Sequence, residues 1–184
     1  MKKIVVFAGS PRENGTTARM IDEALKGATS VGAEVRIYDL NSAEIRGCQG
    51  CFYCRSHEGC FTKDYLQPMY EDLKNADGIV FSSPIYFYDI TGQAKMWVDR
   101  LFPVLAPNFE PRYPGKKVLA LYSQGNENEK AFQEVLQKMA SLFSGFGWTV
   151  TDSLLCFGTT DQGAAALTDD LLKRAFAAGA ALAS

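Results

Sequence analysis

The apolar run Ile4-Val5-Val6-Phe7-Ala8 ends directly on Gly9-Ser10-Pro11-Arg12-Glu13-Asn14-Gly15-Thr16-Thr17. A buried strand stops, the chain turns on two glycines, and an amphipathic stretch begins at Thr16. This is a strand–loop–helix junction whose loop is mostly hydroxyls, small residues and one arginine. Backbone N–H groups, Ser and Thr hydroxyls and a guanidinium then meet at a helix N-terminus, where a phosphate fits best.

What the loop lacks narrows the ligand. There is no G-x-x-x-x-G-K-[ST] and so no lysine for a triphosphate. G-x-G-x-x-G, which brings a helix close to a pyrophosphate, is also missing. Asp39, at the end of the second expected strand, is read as an ordinary strand-end residue in the absence of that fingerprint. A long hydroxyl-rich loop suits one terminal phosphate, as on a mononucleotide such as FMN.

Strand and helix patterns alternate along the chain. Strands are expected at 3–8, 34–40, 78–83, 117–122 and 149–157, and helices at 16–31, 64–76, 93–102, 127–146 and 167–183. That alternation implies βαβ units and a parallel sheet. Five such units match the flavodoxin-like order 2-1-3-4-5, a three-layer α/β sandwich with helices on both faces. With 184 residues and no internal linker, the reading is one domain over 1–184. The net charge of −2 argues against nucleic acid and acidic membranes. No targeting or membrane segment is recognisable, so a cytoplasmic protein with reduced cysteines is expected.

In this fold, ligands lie beyond the carboxyl ends of the strands at the switch point between strands one and three. Three loops converge there: 10–17; Ser83-Pro84-Ile85-Tyr86-Phe87-Tyr88-Asp89; and Ser123-Gln124-Gly125-Asn126. The first offers phosphate donors, the second aromatic surface, the third amides for a heteroaromatic edge. An isoalloxazine ring with a phosphorylated ribityl tail needs that set.

Gly9-Ser10-Pro11-Arg12 with Asn14-Gly15, Ser83-Pro84-Ile85-Tyr86 with Gly92-Gln93-Ala94-Lys95, and Asp99-Arg100-Leu101 together resemble the NADPH-dependent FMN reductase family. Many relatives have Asn-Thr after the loop glycine where this chain has Thr16-Thr17. The resemblance implies non-covalent FMN, with NAD(P)H as co-substrate. Ser10, Arg12, Asn14, Gly15, Thr16 and Thr17 would hold the phosphate and ribityl chain. Pro84, Ile85, Tyr86 and Phe87 would lie against the ring, and Ser123, Gln124, Gly125 and Asn126 would face its edge. Hydride enters such flavins at N5, so no catalytic side chain is assigned. The acceptor would be a flavin, a quinone or a similar small molecule.

Four of the five cysteines, Cys48, Cys51, Cys54 and Cys60, form a C-x2-C-x2-C-x5-C run. Three close thiolates with a nearby fourth suit a 4Fe–4S cluster. Zinc more often takes two separated C-x2-C knuckles. Free thiols or a reversible disulfide are the remaining alternatives. The run resembles that of the iron–sulfur flavoproteins, which implies an electron carrier with FMN plus a cluster as the second functional reading, its partner a redox protein. The paired aspartates that relatives carry after the last cysteine are here Asp64-Tyr65. Cys156 is read as a buried small hydrophobe and His57 as a solvated loop residue.

Trp97, Leu101 and Phe102 are read as core or subunit contact, and Asp99-Arg100 as an ion pair at a helix end. Trp97, Phe102, Pro103 and Phe109 make a segment too aromatic for open surface. A homodimer or homotetramer is therefore expected, with that segment at the interface.

Overall fold

A computed structural model describes residues 1–159 and 166–184. Five parallel strands form the sheet: β1 (Lys3–Ala8), β2 (Glu34–Asp39), β3 (Gly78–Tyr86), β5 (Lys117–Ser123) and β6 (Thr149–Cys156), in the order β2-β1-β3-β5-β6. A sixth strand was not expected: β4 (Asp89–Ile90) pairs antiparallel with the end of β3. Apart from β4, the order is the flavodoxin-like one.

Alternate side chains of each inner strand point to opposite layers. Val5, Phe7, Ile79 and Phe81 enter a core shared with α2 (Met69–Asn75), α3 (Gly92–Asp99) and α4 (Gln133–Gly145). Ile4, Val6, Val80 and Leu119 enter the other core, under α1 (Thr16–Ser30) and α5 (Asp169–Leu182). Burial on both faces explains the unbroken apolar runs of β1, β3 and β5. Trp97 is fully buried, stacked on Phe7 and Phe81.

Several element boundaries differ from the sequence reading, and four of the differences have a clear local reason. Strand β3 runs on to Tyr86 because β4 supplies it with a partner. Helix α2 begins at Met69 rather than 64, because Asp64 is tied down by tertiary bonds and Pro68 sits at the entry. Helix α3 begins at Gly92, where the Thr91 hydroxyl caps Ala94 N at 3.2 Å. Helix α4 begins at Gln133 rather than 127, because Asn126 and Asn128 close side-chain-to-backbone turns onto Asn128 N and Lys130 N.

Helices α1 and α5 cross at Gly27 and Gly179. A Cβ at Gly179 would lie 1.9 Å from Ala24 O, and one at Gly27 1.9 Å from Phe176 O. Only two glycines allow this approach. Gly179→Val is expected to destabilise by about 1–3 kcal/mol or more through overpacking. The thermal midpoint should fall by about 2–4 °C per kcal/mol, read by calorimetry against Gly145→Ala, which meets open space.

Candidate functional site

The loops after β1, β3 and β5 open on one edge of the sheet. In the first, the chain returns tightly: Arg12 N donates to Ser10 Oγ at 3.1 Å, and Gly15 N to Arg12 O at 3.2 Å. Gly15 is the N-cap of α1, so the cap position has no side chain to accept from the first turn, whose own residues include no acid. Helix α1 therefore directs its first-turn backbone donors and positive dipole end toward this edge. Ser10, Gly15 and Thr16 are half-buried, Thr17 is buried, and Arg12 and Asn14 are exposed. Ser10 and Arg12 also border a hollow that reaches Asp39 and Asn41 at the end of β2. Asp39 accepts there from Asn41 N at 2.9 Å.

Thr91 fastens the first loop to the second. Its hydroxyl donates to Gly9 O at 2.6 Å, its N–H donates to Ser83 Oγ at 3.0 Å, and Gly9 N donates to Ser82 O at 2.9 Å. A Cβ at Gly9 would lie 2.6 Å from Ser82 O and 2.9 Å from Ala94 Cβ, so glycine is required for this approach. Sequence reasoning missed Thr91. Its signal was a threonine directly before Gly92-Gln93-Ala94, the position of a helix N-cap.

Pro84 and Ile85 are buried in β3, so the second loop is shorter than expected. Its tip is the two-residue turn Phe87-Tyr88, both with positive φ (44° and 71°). Asn or Gly usually occupies such a turn; two aromatics there cost of order 1–3 kcal/mol each. Phe87 is 98% exposed, Tyr88 packs edge-on against Phe132, and Tyr86 is partly exposed. The hairpin therefore holds aromatic surface outside the core. In the third loop, Ser123 and Gln124 are buried while Gly125 and Asn126 are exposed. The Gln124 amide turns inward, donating to Asn128 O at 2.7 Å, and its Oε1 is buried without a partner.

The four cysteines lie elsewhere, and together. Cys48, Cys51, Cys54 and Cys60 line one pocket with Phe52, Phe61, Thr62, Asp99, Arg100, Phe102 and Pro103. Cys48 and Cys51 are exposed, Cys60 is half-buried and Cys54 is buried. Burial, together with the neighbouring Cys60, Cys48 and Cys51 thiols, pushes the Cys54 thiol up from its ordinary range. Among the described residues, no group of three or more His, Cys, Asp or Glu side chains is arranged to hold a single metal ion. The pocket adjoins the C-terminal end of α3 and the flavin-type crevice its N-terminal end. Eight residues of helix separate them, about 12 Å of rise.

Arg100 is the node of this region, and its partner is not Asp99. Asp99 pairs with Lys95 at 2.6 Å. Arg100 grips Asp64 with both nitrogens, Nη1 to Oδ2 at 2.6 Å and Nη2 to Oδ1 at 3.0 Å. It also donates to Arg46 O, and Asp64 accepts from the backbone of Arg46 and Leu66. Both ends of the cysteine loop are thereby held on α3. Burial opposes the Asp64 charge, but Arg100 and the two N–H groups outweigh it and keep the carboxyl below its usual range. Arg55, whose guanidinium lies 5.0 Å from the Phe102 ring and 4.4 Å from Phe109, pins the loop from the other side. Arg112 approaches Glu58 at 3.8 Å. Of the aromatic segment expected at a subunit interface, Trp97 and Pro103 are buried within the chain and Phe102 is half-buried, whereas Phe109 stays exposed. Cys156 is buried and His57 exposed, as read from the sequence.

Sheet order, strand-end crevice and phosphate-type loop define a flavodoxin-like protein. Within that class, residues 2–161 match the model of the NADPH-dependent FMN reductase family, and the chain belongs to it. An iron-sulfur flavoprotein of Archaeoglobus fulgidus is 34% identical over 72% of this chain and 69% of its own length. Another, from Methanocaldococcus jannaschii, is 38% identical over 58% of this chain and 54% of its own length. The chain spans about half the length of several curated relatives it matches. An NAD(P)H:quinone oxidoreductase from Methanothermobacter marburgensis superposes with a TM-score of 0.76 at 19% identity, covering 100% of this chain and 98% of that one. Among the described residues, no helix is long and apolar enough to cross a membrane.

Because the folded Asp64 carboxyl titrates below its unfolded value of about 3.9, its contribution is complete above that value. It is lost as pH falls through the lower folded value. Asp64→Asn is expected to cost about 3–5 kcal/mol at pH 7 by leaving Arg100 buried and uncompensated. The same variant should lose less stability than the parent between pH 4 and pH 2, measured by urea unfolding at each pH.

Proposed function

We propose that the chain is an FMN-dependent oxidoreductase that takes hydride from NAD(P)H and reduces a flavin, a quinone or a similar small acceptor. The observation that carries this reading is the joining of the strand-end loops. Thr91 ties the loop before the glycine-capped α1 to the base of an exposed aromatic hairpin. Ser10, Arg12, Asn14, Gly15, Thr16 and Thr17 would take the phosphate and ribityl chain, using the α1 backbone donors and the flanking hydroxyls. Tyr86 and Phe87, with Pro84 and Ile85 beneath, would cover the ring. Gly125 and Asn126, exposed in the third loop, would meet its polar edge, with Ser123 and Gln124 buried behind them rather than facing it. Bound FMN would supply hydride acceptance and electron release. The chain's residues bind, orient and exclude water, and none is needed to move a proton.

The expected partners are a nicotinamide and a small acceptor or a redox protein, in a single-domain chain that associates with a second copy. The exposed Phe87 and Tyr88 now favour the hairpin edge, in place of the Trp97 segment, as the contact. Light scattering giving 20.2 kDa would exclude the pairing.

Thr16→Asp separates the phosphate cradle from the fold. A carboxylate in the first turn of α1 favours the helix dipole by about 0.3–1 kcal/mol, yet repels a phosphate at the same place. Thermal stability should hold or rise while FMN affinity falls at least tenfold in a fluorescence titration. Unchanged affinity would put the cradle elsewhere. Wild-type protein loaded with FMN should bleach near 450 nm when NADH or NADPH is added without air, and a stable yellow colour with both would refute the enzyme reading.

The cysteine pocket favours a second reading, an electron carrier with FMN and a 4Fe–4S cluster. Four thiols from one compact run line one pocket, which suits a four-cysteine cluster better than the two separated knuckles usual for zinc. Iron–sulfur flavoproteins among the relatives support it. Protein purified anaerobically should carry about four irons per chain, most of them lost in Cys51→Ser. Iron-free protein with four titratable loop thiols would remove this reading and leave the first in place.

A further inference from the structure

The pocket of the four cysteines has one buried cation in its wall. Arg100 is 1% exposed and lines the pocket, whereas its counter-ion Asp64 does not. Its fork cannot swing away, because every N–H direction is occupied. Nη1 donates to Asp64 Oδ2 and Arg46 O, Nη2 to Asp64 Oδ1 and, at 3.4 Å, to Thr62 O, and Nε to the Tyr70 hydroxyl at 3.3 Å. Tyr70 in turn donates to Arg100 O at 2.9 Å. Cys60 lines the same pocket. Among the described residues, the other charged residue in the wall is Asp99, which is exposed and paired with Lys95.

Resting on the reading of these cysteines as ligands of an iron–sulfur group, we propose that Arg100 is the positioning charge that holds the reduction potential of that group up. A group bound by four thiolates becomes more negative on reduction, and a fixed cation in a poorly solvated wall favours the reduced form. The flavin-type crevice, about 12 Å away along α3, feels the same charge less. Arg100 would thus bias the distribution of electrons between the two sites toward the cysteine pocket.

The test is a potentiometric titration, followed by visible and electron paramagnetic resonance spectra, of protein reconstituted anaerobically with iron, sulfide and FMN. Arg100→Gln should lower the potential of the cysteine-bound group by an amount equal to about tenfold in its one-electron equilibrium, ~59 mV. The flavin potential should stay in place, and Arg100→Lys should remain close to wild type. Asp64→Asn, which keeps the side-chain shape and leaves the cation uncompensated, should shift the same potential upward, and it carries the test if Arg100→Gln does not fold. Wild-type and variant potentials that coincide, or flavin and cluster potentials that move together, overturn the inference while a normal iron content leaves the cluster reading standing. A wild-type protein that takes up no iron removes both.

Discussion

The bidentate contact of Arg100 with Asp64 is the constraint on which the non-sheet part of the molecule depends. A guanidinium and a carboxylate removed from water are costly unless every donor and lone pair finds a partner. Here the partners come from four places in the chain: Arg46 before the cysteine loop, Thr62 and Asp64 after it, and Tyr70 on α2. Satisfying one ion pair therefore closes a long loop onto the end of α3. A charge-free core of equal volume would not draw those segments to one point.

Around this node the molecule keeps two sites apart. The crevice at the strand ends is assembled from backbone, with Thr91 and Gly9 drawing the β1 and β3 loops together. The cysteine pocket is assembled from side chains, held from one side by Arg100 and from the other by Arg55 between two phenylalanine rings. The short helix α3 spans the two, its N-cap threonine at one site and its C-cap arginine at the other. Membership of the NADPH-dependent FMN reductase family is in keeping with the crevice at the strand ends.

The alternation of apolar runs with helical periodicity, and the glycine-bounded loop after the first run, were legible because each is written in consecutive residues. So was the clustering of four cysteines within thirteen positions. Strand order followed from them through the handedness and switch-point rules of open α/β sheets. The β4 hairpin was not legible, because Phe87-Tyr88 carries none of the Asn or Gly that normally marks a turn with two positive φ angles. Helix starts at α2 and α4 were misplaced because Asp64, Asn126 and Asn128 spend their side chains outside the helices.

What the sequence by itself determined is the set of elements, their order in the sheet and the edge on which the three loops open. Those follow from local periodicity and chain connectivity. What only the tertiary structure decided is which groups meet. Arg100 passes over its neighbour Asp99 for Asp64, 36 positions away. Trp97 goes to the core rather than to a partner, and Gln124 turns into its own loop. Adjacent charges on a helix point in different directions, and a buried cation takes whichever carboxylate the packing brings within reach.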